Sequence, residues 1–488
     1  MTADVVVVGS GMAGLTTACL LARDGHKVII LEQNWLPGGC SSSYPRKGVI
    51  FESGATTLVG LDEYMPLKHL LSELGLALDS WLLETPMQVH LKGQTLTRHQ
   101  DLGAWIAEAE RIFGPKGQRP FWEYCYKISQ LVWQTSLQQR AFPPSNLKDL
   151  LNAARHFRPG QLPFAALAFK SMKSLLKQHG LLGHADFEAF VNEQLLITAQ
   201  NHLEEVNVLF GATALCYTNY GNYYMPGGLI NLVKPLVQFI EDRGGRVLLQ
   251  QPVVSMNRVG EQYEIQTQFR KESATYHAPR VVSALPINNT LELWPEVSFQ
   301  RKYKPKLMDS DQVNSAFSLG FVAHKRIAPT CLHHQVHLPK PLPYTGSKSI
   351  FLSWSHPDDP DRCAPDELVG GVSTHVPDPA RTWIEHKEEV AAAIFDALEG
   401  AGLLLKEDVK WHHASTPKAW EKWTGRRWGF VGGYPQYMDI KPWQMIDARL
   451  DHKGAYICGD STYPGQGIPG ACLSGIIAYE KMKLDGLP

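Results

Sequence analysis

Apolar residues near the N-terminus first run without a break and then recur at helical spacing. Residues 5–8 are four consecutive valines, the kind of run that a fully buried parallel strand shows. Residues 13–24 are mostly good helix formers, and Gly25 stands where a left-handed residue would end that helix. A second buried run follows at 27–32. The pattern predicts a strand, a helix and a strand, the repeating unit of a parallel α/β sheet.

The same periodicities extend along the chain. They predict helices at 64–78, 101–113 and 386–400 and from about 471, and strands within 81–97 and at 262–268, 279–285 and 454–460. Residues 224–256 return to the order turn, helix, strand, so the parallel layers are expected to resume there after a long insertion. We therefore expect a nucleotide-binding domain assembled from 1–85, 224–300 and 441–488, with a second domain assembled from 86–223 and 301–440.

The turn after the first strand carries a G-x-G-x-x-G spacing. Gly9 allows a tight turn, Gly11 leaves room for a pyrophosphate against the backbone, and Gly14 lets the helix lie close to the sheet. The phosphates would meet the N–H groups at the positive end of that helix. Glu32 ends the second strand, where it can accept hydrogen bonds from the diol of an unphosphorylated ribose. These residues predict a dinucleotide-binding site.

A second part of that site is predicted near the C-terminus. The strand at 454–460 ends in Gly459 and Asp460, and ligands of open parallel sheets bind beyond such strand ends. A glycine-rich loop at 465–470 precedes the last helix, which would point its N-terminus at the same place. A flavin suits this arrangement, because its ribityl chain needs hydroxyl acceptors and its ring needs positive partial charge on reduction.

Composition narrows the possible functions. The 488 residues carry a net charge of −1 and are 44% hydrophobic, which indicates two or three globular domains and no nucleic-acid partner. We expect no secretory signal and no membrane span, so any contact with a bilayer would be peripheral. The eight cysteines lack a C-x-x-C pair, which favours reduced thiols and a cytoplasmic location, with membrane association possible.

Residues 145–185 are basic and apolar at once. Between Lys148 and Lys177 the only acidic residue is Asp149, and 162–177 reads as one basic amphipathic helix. Such a helix can lie in the headgroup plane of a membrane. An ordinary surface helix with a core-facing apolar stripe would have the same pattern, so both interpretations stay open.

Five motifs can be compared with known families: the N-terminal fingerprint, PGG at 37–39, GVIFESGATTL at 48–58, YMPGGL at 224–229 and GDSTYPGQGIPG at 459–470. Together they resemble the FAD-dependent carotenoid desaturases and isomerases, a family that includes phytoene desaturase, carotenoid isomerase and retinol saturase. The resemblance implies an α/β fold, with a Rossmann-like FAD-binding domain of the GR2 type and an inserted α+β substrate domain enclosing an apolar tunnel. It also implies an apolar isoprenoid or carotenoid substrate.

The resemblance assigns residues to each part of FAD. It implies Gly9, Gly11 and Gly14 at the pyrophosphate, Glu32 at the adenosine ribose, Gly38 and Gly39 along the phosphate and ribityl chain, Gly54, Ala55, Thr56 and Thr57 at the isoalloxazine ring, Val253 at adenine, Asp460 at the ribityl chain or phosphate, and Gly467, Ile468 and Pro469 at the pyrimidine side of the ring. The neighbouring Ser10, Ala13, Gln33, Cys40 and Gly459 complete the expected cofactor-binding set.

The reaction is less constrained than the cofactor. Members with desaturase activity usually have arginine after the paired glycines, where this chain has Cys40. Cys40 and the PGQG at 464–467 resemble the isomerases. The GIPG at 467–470 resembles the desaturases instead. We expect desaturation with hydride transfer to FAD, and isomerisation with reduced FAD as the alternative. A flavin amine oxidase or a lipid-binding carrier without redox chemistry are further alternatives. No residue is assigned a catalytic role, Glu52 is interpreted as a structural acceptor, and the electron acceptor is left open.

Two other segments have more than one interpretation. The CLHHQVH at 331–337 groups metal-ligand residue types, but it also alternates as a strand, with Leu332, His334, Val336 and Leu338 inward and the other residues outward. We favour the strand and expect no metal. The tryptophans between 411 and 428 either line the substrate tunnel or pack between domains.

Overall fold

The computed structural model describes residues 1–54, 56–156, 162–326 and 328–486. Its helices are α1 (Met12–Arg23), α2 (Pro66–Leu74), α3 (Leu102–Phe113), α4 (Gln118–Gln138), α5 (Leu147–His156), α6 (Leu162–Ala165), α7 (Met172–Gln178), α8 (Ala185–Ala199), α9 (Val208–Leu215), α10 (Ile230–Glu241), α11 (Ile287–Leu293), α12 (Val297–Tyr303), α13 (Lys387–Gly400), α14 (Pro417–Thr424) and α15 (Gly467–Leu484).

The strands follow the same chain order. They are β1 (Val5–Val8), β2 (Val28–Leu31), β3 (Ser43–Arg46), β4 (Val49–Glu52), β5 (Leu58–Val59), β6 (Trp81–Leu82), β7 (Met87–Leu91), β8 (Gln94–Arg98), β9 (Asn222–Tyr224), β10 (Arg246–Leu248), β11 (Val253–Val259), β12 (Gln262–Phe269), β13 (Glu272–Ala278), β14 (Arg280–Ser283), β15 (Asn314–His324), β16 (His333–His337), β17 (Ser349–Trp354), β18 (Glu367–Pro377), β19 (Val409–Ser415) and β20 (Ala455–Ile457).

A five-stranded parallel sheet carries the N-terminal fingerprint. Its order is β10-β2-β1-β14-β20, and its strands come from the start, the middle and the end of the chain. One face packs against α1, α10 and α15, and the other packs against the β11–β13 meander with α11 and α12. Apolar cores on both faces explain why β1 and β2 are apolar at every position. The predicted Rossmann-like α/β fold is confirmed, while the exact domain boundaries stay a prediction.

A seven-stranded mixed sheet forms the second layer, in the order β19-β15-β18-β17-β16-β7-β8. Its strand β15 alternates between two environments: Phe317 and Phe321 face an apolar core shared with α13, while Ala316 and Ser318 line a cavity. At the β7–β8 end, the helices α3, α4, α8 and α9 pack around a separate apolar core. The cavity therefore lies between the sheet and the helices.

The basic segment differs from its predicted form. Residues 162–177 are not one helix, because the chain leaves helical geometry at Lys170 and re-enters at α7. Tertiary contacts cause the break: the Val208 N–H donates to the Lys170 carbonyl at 2.8 Å, and Ser171 pairs with Asn207 as an isolated bridge and caps α7. Of the basic residues in the segment 145–185, Arg158 lies outside the described residues. The last helix also begins four residues earlier than predicted, at Gly467.

Candidate functional site

One cavity of about 1,380 Å³ runs between the parallel sheet, the seven-stranded sheet and the helices. A pocket for one small ligand has about 300–1,000 Å³, so this cavity has room for two molecules side by side. Of the predicted cofactor-binding residues, it is lined by Gly9, Gly11, Ala13, Glu32, Gln33, Gly38, Gly39, Cys40, Gly54, Thr56, Thr57, Val253, Gly459, Asp460, Gly467, Ile468 and Pro469. The fold thus gathers residues that are up to 460 positions apart.

Two predicted cofactor-binding residues lie outside the cavity lining, and a third falls outside the described residues. Ser10 is fully buried behind the cradle and donates to Glu32. Gly14 is packed beneath the cradle. Ala55 lies outside the described residues. The assignment of individual residues to parts of the cofactor stays a prediction.

The glycines of the fingerprint leave the space that a pyrophosphate needs. Gly9 has a φ of +98°, which other residues rarely adopt, and a Cβ on Gly11 would meet no protein atom within 4 Å. A Cβ on Gly39 would lie 3.3 Å from the Gly11 Cα, so the two backbone segments approach closely across the cradle. The N-terminus of α1 opens into this gap. Residues present here fit the phosphates of a dinucleotide.

Glu32 is held rigidly at the end of β2. Its Oε2 accepts hydrogen bonds from the Ser10 backbone N–H at 2.9 Å and from the Ser10 hydroxyl at 2.6 Å, and its Oε1 accepts from the Asn34 N–H at 2.9 Å. A carboxylate has about four acceptor positions, so these three bonds leave capacity toward the cavity. The backbone bonds fix the carboxylate where a ribose diol could reach it.

A buried histidine supports the turn predicted at the isoalloxazine ring. The His333 Nε2 lies 3.0 Å from the Thr57 hydroxyl and its Nδ1 lies 3.1 Å from the Ser353 hydroxyl, which itself donates to the Thr56 hydroxyl at 2.8 Å. Burial lowers the pKa of His333 to about 3, so the ring is neutral near pH 7. A fixed neutral imidazole can position this turn.

The strand interpretation of 331–337 is right in type and wrong in one respect. The residues expected to point outward do not, because His333 and Gln335 are both buried, and Gln335 lines the cavity. That face is covered by contacts from distant segments: Gln335 is hydrogen-bonded to Gln194 and Glu193 of α8, and His333 lies against Thr57. Within the described parts of the chain, no group of three or more His, Cys, Asp or Glu side chains is arranged to hold a metal.

Glu52 has the structural role expected of it. Its Oε1 accepts from Arg362 Nη1 at 2.7 Å, and its Oε2 accepts from the Ser43 hydroxyl at 2.6 Å. The Leu229 N–H adds a bond at 3.2 Å. These contacts tie β3 and β4 to the glycine-rich turn before α10.

Sequence reasoning missed a buried ion pair beside the cradle. Arg426 Nη2 lies 2.7 Å from Asp460 Oδ2, with the two side chains 14% and 16% exposed. Burial lowers the pKa of Arg426, but the Asp460 carboxylate outweighs this effect and raises the pKa overall. Burial also raises the pKa of the Cys40 thiol, which the Arg426 charge opposes. No pattern around Arg426 distinguishes it from a surface arginine, because its partner is 34 residues away.

Aromatic side chains enclose the cavity near the cradle. Tyr44 and Phe51 stack, His413 packs edge-on against both rings, and Trp420 and Trp423 also line the cavity. Of the tryptophan-rich segment, Trp411 packs on Phe51 instead. The Tyr44 hydroxyl lies 2.8 Å from His413 Nε2. Burial raises the pKa of Tyr44 to about 12 and lowers that of His413 to about 4, so both groups are neutral near pH 7 and the tautomer of His413 decides which of them donates.

Buried neutral histidines predict sensitivity to acid. Burial lowers the pKa values of His375 and His413 to about 4, against about 6.5 in the unfolded chain. The stability they contribute is therefore complete above about pH 6.5 and is lost as the pH falls toward about 4, because the unfolded state then binds more protons. Urea unfolding should show this loss. His413→Gln is expected to reduce the dependence of the unfolding free energy on pH in this range. The same change at the exposed His452 should leave that dependence as in the wild type. Equal pH dependence in the wild type and both variants would contradict this explanation.

The far part of the cavity is lined differently. Its lining carries large apolar side chains: Leu131, Val132, Phe164, Leu209 and Phe210 from helices, and Phe142 from the segment after α4. Glu32, Glu52 and Asp460 line the cavity, and each is hydrogen-bonded to the protein. The arrangement can hold a dinucleotide at one end and an apolar molecule at the other. No helix in the described residues is long and apolar enough to cross a membrane.

Comparison with known proteins places this geometry in a family. Over 99% of the chain, it is 24% identical to prolycopene isomerase 2, chloroplastic, of an Oncidium hybrid cultivar, covering 84% of that protein. It is 21% identical to the 4,4'-diapophytoene desaturase (4,4'-diaponeurosporene-forming) of Staphylococcus haemolyticus, covering 99% of both chains. A putrescine oxidase variant has a similar structure, with a TM-score of 0.67, 15% identity and 99% of both chains covered.

The family assignment rests on a match that spans nearly the whole chain. The family model described as "Flavin containing amine oxidoreductase" matches residues 12–480. That range begins at the first residue of α1, directly after Gly9 and Gly11, and includes the C-terminal half of the cradle at Gly459 to Pro469. The expectation of FAD is therefore confirmed, and the chain belongs to the flavin containing amine oxidoreductase family as an FAD-dependent oxidoreductase.

Proposed function

We propose that the protein acts on a carotenoid-like polyene, which lies in the apolar part of the cavity next to FAD. The single observation that carries this proposal is the continuity of the cavity, from Gly11 at the phosphate cradle to Phe164 and Phe210 on the helical wall. An uncharged polyene needs an apolar slot beside the flavin and no ion-pairing partner. The names of the prolycopene isomerase and diapophytoene desaturase relatives support this substrate class.

Desaturation is the first candidate reaction. In it, bound FAD would take a hydride from an allylic carbon, a proton would leave the neighbouring carbon, and a separate acceptor would later reoxidise the flavin. The end-to-end match to the diapophytoene desaturase supports this reaction. The role of the chain is to exclude water and to fix the polyene against the turn that His333 supports through Thr57.

Isomerisation is the second candidate, and a specific observation favours it. Desaturation releases a proton, yet the cavity-lining Glu52 and Asp460 are engaged by Arg362 and Arg426. Glu292 also lines the cavity, but it is exposed. A bond rotation that leaves the composition unchanged needs no proton acceptor. The names of the prolycopene isomerases agree with this reaction.

Pigment analysis distinguishes these reactions. The chain would be expressed in a bacterial host that accumulates phytoene and, separately, in one that accumulates poly-cis lycopene. A product lighter by pairs of hydrogens means desaturation, and an altered cis/trans pattern at constant mass means isomerisation. Unchanged pigments in both hosts, from a soluble flavin-loaded protein, would contradict the proposal.

We also propose that the protein docks on the cytoplasmic surface of a membrane through α5 and its surroundings. Leu147, Leu150 and Leu151 on α5 are 71%, 54% and 55% exposed, and the exposed Phe169 packs against Trp443 with the ring centres 5.5 Å apart. Neighbouring Ala153, Ala154 and Trp443 line the cavity. The apolar surface thus adjoins a cavity wall, where a bilayer-dissolved substrate could enter.

Changing two leucines tests this docking. The double variant Leu150→Asp and Leu151→Asp should bind phosphatidylcholine–phosphatidylglycerol vesicles about tenfold more weakly than the wild type. The reason is that two leucine side chains would no longer insert partly into the bilayer. Leu82→Asp is the control, since Leu82 is also 54% exposed but lies on β6. Flotation of the vesicles measures bound protein. Equal flotation of wild type and the double variant would contradict docking through α5.

A further inference from the structure

Residues Trp420 to Arg426 lie across the open side of the cofactor cradle, and we refer to them as the outer strap. The strap includes the end of α14 and the two residues after it. The Asn34 side-chain amide donates to the Trp423 carbonyl at 2.6 Å, close to the ribose acceptor Glu32. Trp420 reaches Gly54, where a Cβ would lie 2.9 Å from its ring. The outer strap therefore extends from the adenosine side of the cradle to the flavin side.

Arg426 ends the outer strap with one side of its guanidinium unused. Its Nη2 binds Asp460, while its buried Nη1 has no hydrogen-bond partner within the described residues. The guanidinium also lies 5.2 Å from the centre of the Phe430 ring. A buried donor without a partner is costly, so such a group commonly indicates a ligand that completes it.

The charges around the cradle call for a cation at this position. Glu32 and Asp460 both line the cavity, and an uncompensated Asp460 carboxylate would repel the doubly charged pyrophosphate of FAD. Three arginines line the cavity within the described residues. Arg362 is paired with Glu52, and Arg46 lies at the exposed end of β3, which leaves Arg426 as the cation beside Asp460.

We propose that Arg426 binds the cofactor directly, with its free Nη1 donating to the phosphate that continues from the ribityl chain of FAD. Asp460 fixes the guanidinium in place and accepts from a ribityl hydroxyl. The outer strap thereby joins the second domain to the cofactor through a charge-assisted hydrogen bond. The inference rests on FAD, the cofactor of the family, and is independent of the polyene proposed above.

Flavin affinity, measured without substrate, tests the role of Arg426. Arg426→Met should weaken FAD binding about 10- to 100-fold, as expected for the loss of a charge-assisted bond to phosphate. Arg426→Lys should recover part of this loss, because it keeps the charge without the planar donor pair. The control is Arg427→Met, since Arg427 is exposed and lies over Trp428 at 4.4 Å. Ultrafiltration of each protein with added FAD gives the dissociation constants.

Two results would overturn the inference. One is an Arg426→Met protein that binds FAD as tightly as Arg427→Met. The other is a purely structural pair, in which Arg426→Met and Asp460→Asn both lower the melting temperature while the FAD dissociation constants stay at the wild-type value. Failure of the polyene proposal alone would leave the FAD affinities of these variants as expected.

Discussion

Gly14→Ala is expected to destabilise the protein strongly and to reduce the amount of FAD that it binds. A Cβ at this position would lie 2.4 Å from the Gly9 carbonyl oxygen and 2.8 Å from the Ala284 Cβ. Backbone would have to move at the centre of the parallel sheet, at a cost of about 3 kcal/mol in the free energy of unfolding. Urea unfolding and the ratio of flavin to protein absorbance would measure both losses.

Gly11→Ala provides the matched control, because a Cβ there meets no protein atom within 4 Å. The variant should unfold at the wild-type urea concentration when both proteins are free of flavin. It should nevertheless bind FAD at least about tenfold more weakly, because the added methyl occupies the space left for the pyrophosphate. Wild-type FAD affinity in Gly11→Ala would show that the phosphates do not lie against Gly11.

Asp149→Ala is expected to destabilise the protein by about 3 kcal/mol, the scale at which one partner of a buried ion pair is lost. Arg449 contacts Asp149 at 2.5 Å and Lys481 contacts it at 3.5 Å, and all three side chains are at most 1% exposed. Burial raises the pKa of Asp149, but the two cations outweigh this effect and lower it overall. The contribution is therefore present above the unfolded pKa, about 3.9, and is lost as the pH falls below it.

Asp186→Ala is the control for this effect. Asp186 pairs with Lys92 at the surface, where the side chains are 38% and 69% exposed, so its loss should cost less than about 1 kcal/mol. Urea unfolding at pH 7 measures both variants. Equal, small losses of stability in the two variants would mean that the buried contacts among Asp149, Arg449 and Lys481 do not hold α5 against α15.

The sequence predicts the parallel sheet and the cradle well because their signals are local. The strand β1, the glycines and the helix α1 follow one another within about twenty residues, so the spacing itself specifies the geometry. Gly459 and Asp460 follow β20 in the same way. The rule that ligands bind beyond strand ends brings these separate segments together without knowledge of the contacts between them.

The remaining features depend on contacts between distant parts of the chain. His333 is buried against Thr57, 276 residues earlier in the chain. The helix predicted over 162–177 breaks because Ser171 pairs with Asn207. Arg426 acquires its role only where the outer strap meets Asp460. The local sequence pattern around each of these residues does not indicate its distant partner.

The most direct test of the account is the response of the bound flavin to substrate. A purified, FAD-loaded protein would be titrated with a carotenoid in detergent and, separately, with putrescine, while the flavin absorption bands and hydrogen peroxide are recorded. The account predicts that one carotenoid per flavin shifts or bleaches the bands, because both molecules share one cavity. Flavin bands that do not change when the carotenoid is added, together with bleaching and peroxide formation when putrescine is added, would contradict a polyene substrate.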